Sequence, residues 1–548
     1  MTSPTLSCVV LLHAADNTCV AARNLAAGET IQAGNRGVRL NAAIRLGHKI
    51  ALEKIPAGAA VTKYGQTIGF ALHEIAPGDW VHVHNVSAEY FSRDYEFCTA
   101  IPPAPTPITD RTFQGYPRAD GRAGTRNYLA VISSVNCSAT VCKLVAQRVR
   151  ESGILKQFPN VDGVIPVAHG AGCGIQYGGE YHQLLSRSLG GMAKHPNVGG
   201  YLIIGLGCET GEIGYIIQKE KLVQIAVPGA KNTVPGANNT VPGAKNNSGL
   251  GEKDFVRASP DLRRPVTLSM QDCGGTTKTV EAALKAIAEM LPRMNDVRRE
   301  TLPASEIVLG TNCGGSDGNS GVTANPALGV ASDLLVACGG TTILAETSEV
   351  YGAEQLLTRR ARTREVAEKL IERIKWWEWY AGVFGATLDN NPSPGNKEGG
   401  LTTIYEKSLG AIAKAGSTAL NEVYRYAEQV TAKGFVLMDT PGFDAVSVTG
   451  IVAGGANAFV FTTGRGSCFG CKPTPSIKVA TNTPMYERML DDMDINAGAI
   501  LSDGRSVEAV GREIFDEVLA VASGKKTKSE LLGYGEEEFV PWPLGPTL

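Results

Sequence analysis

The sequence has no long apolar run. No window of its 548 residues approaches the ~18 apolar residues of a membrane-spanning helix. The opening MTSPTLSCVVLLHAADN carries neither a basic leader nor a long apolar core, so no signal peptide is read there. A cytoplasmic protein with no membrane partner is expected. An excess of one charge is also missing. The net charge is −2, which gives no broad basic field to hold nucleic acid. Histidine is scarce, at eight residues. Cysteine is not, at twelve, but paired C-x-x-C knuckles are absent: Cys468 and Cys471 form the one such pair and have no second half. Disulfides are not expected in a reducing compartment. The cysteines are then buried small hydrophobes, metal ligands or reactive thiols.

The chain is too long for one hydrophobic core. Residues 1–98 alternate short apolar runs with turn signals such as Pro56-Ala57-Gly58 and Pro77-Gly78-Asp79, which predicts a small all-β module. A proline-rich linker follows over 99–112. Beyond it, apolar runs lead into Gly/Cys/Asn loops and then helical stretches, as in NYLAVISSVNCSATVCKLVAQRV and SEIVLGTNCGGSDG. Strands alternating with helices predict a large, mainly parallel α/β body, divided here into 113–300 and 301–548. In such sheets ligands sit beyond the carboxyl ends of the strands. Cys137, Cys173, Cys208 and Cys313 all fall just past a predicted strand, and their loops are expected to share one sheet edge.

The stretch TNCGGSDGNSGVTANPALG, 311–329, is built almost wholly of small residues. Its glycines let backbone come close to a ligand. Cys313 is the candidate ligand-facing thiol, and Asp317 is a candidate to bind metal or take a proton. His48, His82 and His84 lie near one another in the β-module. His82 and His84, spaced i, i+2, would share one face of a strand, and three imidazoles can hold a divalent metal. Lys49, beside His48, and His169, four residues before Cys173, are further catalytic candidates. Arg118, Arg122 and Arg126, and Arg465 in TTGRGS, suit carboxylate capture. The long polar stretch NPSPGNKEGG offers Asn396 and Lys397, and the small-residue stretch offers Asn325, as substrate contacts.

Taken together, the loops resemble the altronate dehydratase / galactarate dehydratase family along nearly the whole chain. GHK, VTKYGQTIGFAL and VHVHN resemble its N-terminal SAF-type domain. HPNVGGYLIIGLGCE, CGGSDGNSGVTANPALG, GGTTILAETSEVYGAEQLL, NPSPGNKEGGLTTIYEKSLG, TTGRG and IKVATNT resemble its body. The resemblance implies a hydro-lyase that removes water from a sugar acid to give a 2-keto-3-deoxy acid, with ferrous iron or manganese as cofactor and a small-molecule sugar acid as partner, in a chain that can form a homo-oligomer. Altronate is favoured over galactarate because VHVHN matches the altronate type. His48, His82, His84, Cys173 and Cys208 are the metal-ligand candidates. A sulfolactate sulfo-lyase and a non-catalytic sugar-acid-binding protein are the alternatives. Cys468 and Cys471 depart from the family pattern.

VPGAKNTVPGANNTVPGAKNN, 227–247, holds three near-copies of a heptapeptide with Pro and Gly in each, which excludes a helix and predicts a surface loop. Doubling a loop costs only about 0.6 kcal/mol. A variant with one copy should keep the melting temperature and turnover of the parent, as calorimetry and an activity assay would show.

Overall fold

The computed structural model describes residues 7–89, 93, 95–222 and 265–544; the repeat at 227–247 lies outside them. The chain divides into two compact units, one of 1–114 with 301–540, the other of 115–300 with 541–548.

The N-terminal module is built of short antiparallel strands, among them Thr18–Ala21, Lys49–Ala51 and Trp80–Val81 in one sheet. The hairpin Ala60–Lys63 to Gln66–Ala71 turns at Tyr64 and Gly65, which both have positive φ, 64° and 69°. Two left-handed residues in a row match the right-handed twist of the flanking strands. Val61, Ile68 and Val81 of the module are buried in the same hydrophobic cluster as Leu344, Phe435 and Leu437 of the body. Module and C-terminal body therefore share one core, although sequence composition separates them with a linker.

In the 115–300 unit, strands β1 (Tyr128–Ser133), β2 (Gly163–Val167), β3 (Val198–Gly205) and β4 (Val266–Ser269) form a parallel sheet in the order β2-β1-β3-β4. Helix α1 (Asn136–Ser152) follows β1. Its buried Val141, Val145 and Val149, spaced by four, pack as one stripe against the sheet.

The other unit carries a seven-stranded, wholly parallel sheet of β5 (Val308–Cys313), β6 (Thr341–Leu344), β7 (Leu420–Tyr424), β8 (Gly434–Met438), β9 (Ala458–Thr463), β10 (Ser476–Ala480) and β11 (Ile495–Asn496). Their order is β7-β8-β6-β5-β9-β10-β11. Strands β8, β9 and β10 are buried along their whole length, Lys478 of β10 included, as strands of a parallel sheet covered on both faces are. Helices α2 (Ala324–Ala337), α3 (Ile404–Ala411) and α4 (Asp444–Ala453) cover it. From β5 the chain adds β6, then β7 at the far edge and β8 between them on one side, and returns to add β9 on the other. The strand order thus reverses between β5 and β9, the position where open α/β sheets hold ligands.

One carboxylate joins the module to this sheet. Glu406 of α3 is fully buried, with one oxygen 2.8 Å from Lys49 Nζ and the other 2.9 Å from Lys63 Nζ. Burial alone would raise its carboxyl, but the two ammoniums hold it far below the usual carboxylate range. Lys49 donates also to the carbonyl of Gly400 at 2.7 Å, and burial lowers it to about 8. Glu406→Gln would leave two buried ammoniums without a counter-charge, a change that costs about 3–5 kcal/mol. A large drop in melting temperature is the expected outcome, measurable by calorimetry.

Candidate active site

Strand β5 ends at Cys313, and residues 314–323 cross the sheet edge before α2 begins. Three glycines of this crossing meet close neighbours. A Cβ on Gly314 would stand 2.3 Å from Asp444 Oδ2, one on Gly318 1.9 Å from the carbonyl oxygen of Gly47, and one on Gly321 2.3 Å from the Tyr64 hydroxyl. The small residues let the β-module and the start of α4 close down on the end of β5.

Around Cys313 the structure gathers charge. Its Sγ lies 2.8 Å from Lys414 Nζ, 3.7 Å from Glu346 Oε2 and 3.8 Å from Glu349 Oε2. Lys414 also pairs with Glu346 at 3.2 Å. Lys407 Nζ lies 2.7 Å from Glu349 Oε1 and 2.9 Å from Asn391 Oδ1. Asn312 donates to Asp444 at 3.0 Å. Three carboxylates thus face two ammoniums. Burial pushes Glu346 up to about 8, with repulsion from Glu349 adding to it. Burial, with Glu349 again second, pushes Asp444 up to about 7; its carboxyl is enclosed although the residue as a whole is half-exposed. Burial also pushes the Cys313 thiol up to about 12, against the pull of Lys414. Glu346 has φ 64° and ψ 62°, a left-handed conformation that costs roughly 1–3 kcal/mol in a non-glycine residue. Its Oε1 is buried without a hydrogen-bond partner. A small pocket opens beside the group, with Cys313, Asp317, Lys407, Glu406 and Tyr64 in its wall.

The ligand atoms of Cys313, Glu346 and Glu349 lie within 4.8 Å of one another, the one such group among the described residues. A thiol and two carboxylates suit a first-row divalent metal. The surplus of carboxyls over ammoniums and the unpartnered Glu346 oxygen fit the same occupant.

The three histidines are not brought together as a ligand set. The strand ends at Val81, and His82–Asn85 form a turn in which Asn85 and Val86 donate to the His82 carbonyl. The shared strand face expected of His82 and His84 does not exist. The Trp80 ring sits among all three imidazoles, with centroids 5.5 Å from His48, 4.8 Å from His82 and 5.1 Å from His84. His48 accepts from the indole N–H through Nδ1, and its Nε2 lies 3.3 Å from the Glu398 carbonyl. His84 is exposed.

Other expected contacts also turn out to be internal. Arg118 donates to the carbonyls of Pro196 and Arg126 and to Asn127, Arg126 to the Thr125 carbonyl, and Arg122 to Asp120 and the Lys194 carbonyl. Those guanidiniums clamp loops of the 115–300 unit. His169 lies in the same unit and is occupied at both ring nitrogens, by the Ser133 carbonyl and the Ala171 N–H. Cys173 and Cys208 belong to the β1–β4 sheet, whereas Cys313 belongs to the seven-stranded one, so the four loop cysteines do not share one edge. Asn325 bridges Thr462 and the Gly410 carbonyl. Asn396 donates to the Ser316 carbonyl and accepts from Ser393, the N-cap of the short helix Pro394–Glu398, whose last turn carries the half-exposed Lys397. Arg465 pairs with Glu398 at 2.8 Å and is partly exposed. Lys49 is the Glu406 partner described above.

Glu346, Glu349, Lys407, Lys414 and Asp444 were not among the sequence candidates. One signal pointed to two of them. Lys407 and Lys414 stand seven residues apart in the otherwise small and apolar KSLGAIAK, a spacing that repeats on one helical face.

Asp317 is buried and accepts from Thr481, Ser320, Asn482 and the Asn319 N–H at 2.9–3.1 Å. Asp317→Ala leaves these donors without their acceptor, at roughly 1–3 kcal/mol for a buried group so orphaned. Chemical denaturation should show that loss, with the secondary structure retained in circular dichroism.

Three family models match the chain: the altronate/galactarate dehydratase SAF domain over 7–89, the D-galactarate dehydratase/altronate hydrolase second domain over 115–295, and the D-galactarate/altronate dehydratase C-terminal domain over 304–547. Altronate dehydratase of Bacillus subtilis is 35% identical, over 95% of this chain and 96% of its own length. Galactarate dehydratase (L-threo-forming) of Escherichia coli is 38% identical, over 94% and 93%. The β subunit of (2R)-sulfolactate sulfo-lyase from Chromohalobacter salexigens is 29% identical, over 78% of this chain and 97% of that one.

Proposed function

Because the chain belongs to the altronate/galactarate dehydratase family, we propose that it removes water from a sugar acid, altronate in the first place, to give a 2-keto-3-deoxy acid, with a divalent metal held by Cys313, Glu346 and Glu349. The observation that carries this reading is the buried Cys313 group itself, with three carboxyls against two ammoniums at the strand-order reversal beside a small pocket. Ferrous iron or manganese bound there supplies a Lewis acid for the carboxylate and a hydroxyl of the substrate. The chain's own groups then handle the protons. Asp444, poised at about 7, is matched to accept the α-proton near neutral pH. Lys407, in the cavity wall, faces the negative charge that develops as that proton leaves. The acid form of Asp444 donates to the departing β-hydroxyl, water is released, and the enol tautomerises to the keto acid.

Altronate carries one carboxylate and galactarate two. Arg465, at the edge of this region, is already paired with Glu398, which favours a substrate with one anionic end. The 38% identity to the galactarate enzyme keeps galactarate as the second reading. The sulfo-lyase subunit aligns with a smaller share of this chain than either sugar-acid enzyme.

The test is anaerobic loading of the metal-free chain with ferrous or manganous ion, followed by assays on altronate, galactarate and sulfolactate with detection of 2-keto-3-deoxy acid and sulfite. Product from altronate with either metal is expected; turnover without metal, or sulfite release alone, would overturn the proposal. Cys313→Ala and Glu349→Gln should each weaken metal binding by at least about 100-fold, beyond the loss typical of a supporting residue, as read by elemental analysis after dialysis. Metal affinity should rise with pH across the neutral range, since the cation displaces protons from its ligands.

A further inference from the structure

Of the twelve cysteines, three are exposed: Cys137, Cys173 and Cys208. All three belong to the 115–300 unit, and none takes part in the reaction proposed above. Cysteine is among the residue types most often buried, so three exposed thiols on one face need a reason.

The topology gives them a common place. Strands β2, β1 and β3 are parallel neighbours, and Cys173, Cys137 and Cys208 each follow the carboxyl end of one of them. Hydrogen bonds tie the three loops together. Asn136 N–H donates to the Ala171 carbonyl at 2.8 Å, and Gly211 N–H to the Gly172 carbonyl at 2.8 Å. Buried Glu209 accepts from Ser134 Oγ at 2.6 Å and from Gly207 N–H at 2.6 Å, joining the Cys137 loop to the Cys208 loop. Ser138 Oγ donates to the Ile204 carbonyl at 2.7 Å. Gly172, at φ 99°, lies where a Cβ would come 2.5 Å from the Ser134 carbonyl oxygen. The loops are closely packed, yet all three cysteines remain exposed.

Cys137 is the second residue of α1, a 17-residue helix whose start has no side-chain cap. No three of these thiols lie within 4.8 Å of one another, since the one such group among the described residues is elsewhere. A single tetrahedral zinc, with bonds of about 2.3 Å, needs its sulfurs closer than that. A multinuclear cluster holds them farther apart.

We propose that Cys137, Cys173 and Cys208 bind an iron–sulfur cluster of the four-iron class as thiolates, with the fourth iron left to a non-protein oxygen ligand. Cys273, after β4, is not the fourth ligand. It sits two residues beyond Gln271, whose side chain donates to Cys208 Sγ at 3.4 Å, and in a helical turn residues two apart do not face the same way. The open iron is a second place where a carboxylate or hydroxyl oxygen can be held.

The full chain, purified without oxygen from iron-supplemented cells, tests this. About four acid-labile sulfides per chain are expected, with about four irons beyond any mononuclear ion at Cys313, together with broad visible absorption that bleaches with dithionite. Cys137→Ser, Cys173→Ser and Cys208→Ser should each lose the labile sulfide, whereas Cys273→Ser and Cys313→Ser should keep it. Absence of labile sulfide from the parent chain, zinc at one per chain lost in the same three variants, or loss in Cys273→Ser would overturn the proposal. Should the serine variants fail to fold, alkylation of the parent decides: the three thiols should be protected until a chelator strips the iron, and equal labelling before and after would count against the cluster. Labile sulfide separates this iron from any mononuclear ion at Cys313.

Discussion

The carboxylate of Glu406 is the constraint on which the functional half of the molecule depends. It is buried with two ammoniums from a β-module that precedes it by more than 300 residues, and it accepts also from the Thr402 backbone and hydroxyl at 2.9 and 2.7 Å. A buried ion set of this kind adds little net stability compared with an apolar replacement, but any single member missing is costly. Its effect is therefore positional. It fixes the Tyr64 hairpin over Gly321 and Gly410, and with it one wall of the cavity beside Cys313.

Much of the architecture was legible. Turn residues at regular spacing marked the β-module, and apolar runs followed by Gly/Cys/Asn loops marked parallel strands, because period and punctuation are local properties. The crossing after β5 was legible as a place of close backbone approach, although what approaches is mostly protein: Gly47, Tyr64 and Asp444. The charged group was not legible. Glu346, Glu349, Lys407 and Asp444 look in sequence like ordinary charged residues, and only the meeting of β5, β6, α3 and α4 removes them from water. The arginines of 118–126 misled for the converse reason. A guanidinium binds carbonyls as readily as carboxylates, and the sequence does not say which is near. H-x-H at 82–84 failed because the strand stops one residue too soon.

Charge at the Cys313 group and sulfur on the β1–β3 edge illustrate two ways of making a reactive site from small residues. In the first, burial raises the proton affinity of acids until a cation or a proton must be present. In the second, backbone packing brings loops together while leaving the thiols outside. Glycine serves both, at Gly314 by admitting a carboxylate and at Gly172 by admitting a carbonyl.

The distance along the chain between Lys49, Lys63 and Glu406 has a consequence during synthesis. A growing chain exposes its N-terminal module long before residue 406 leaves the ribosome. Until then the two lysines have no counter-ion, and water must solvate them. The apolar face of Val61, Ile68 and Val81 likewise waits for Leu344 and Leu437. Contacts so remote in sequence close slowly. The module is thus the first part made and one of the last to be completed, so the cavity beside Cys313 cannot take its final shape before most of the body has emerged.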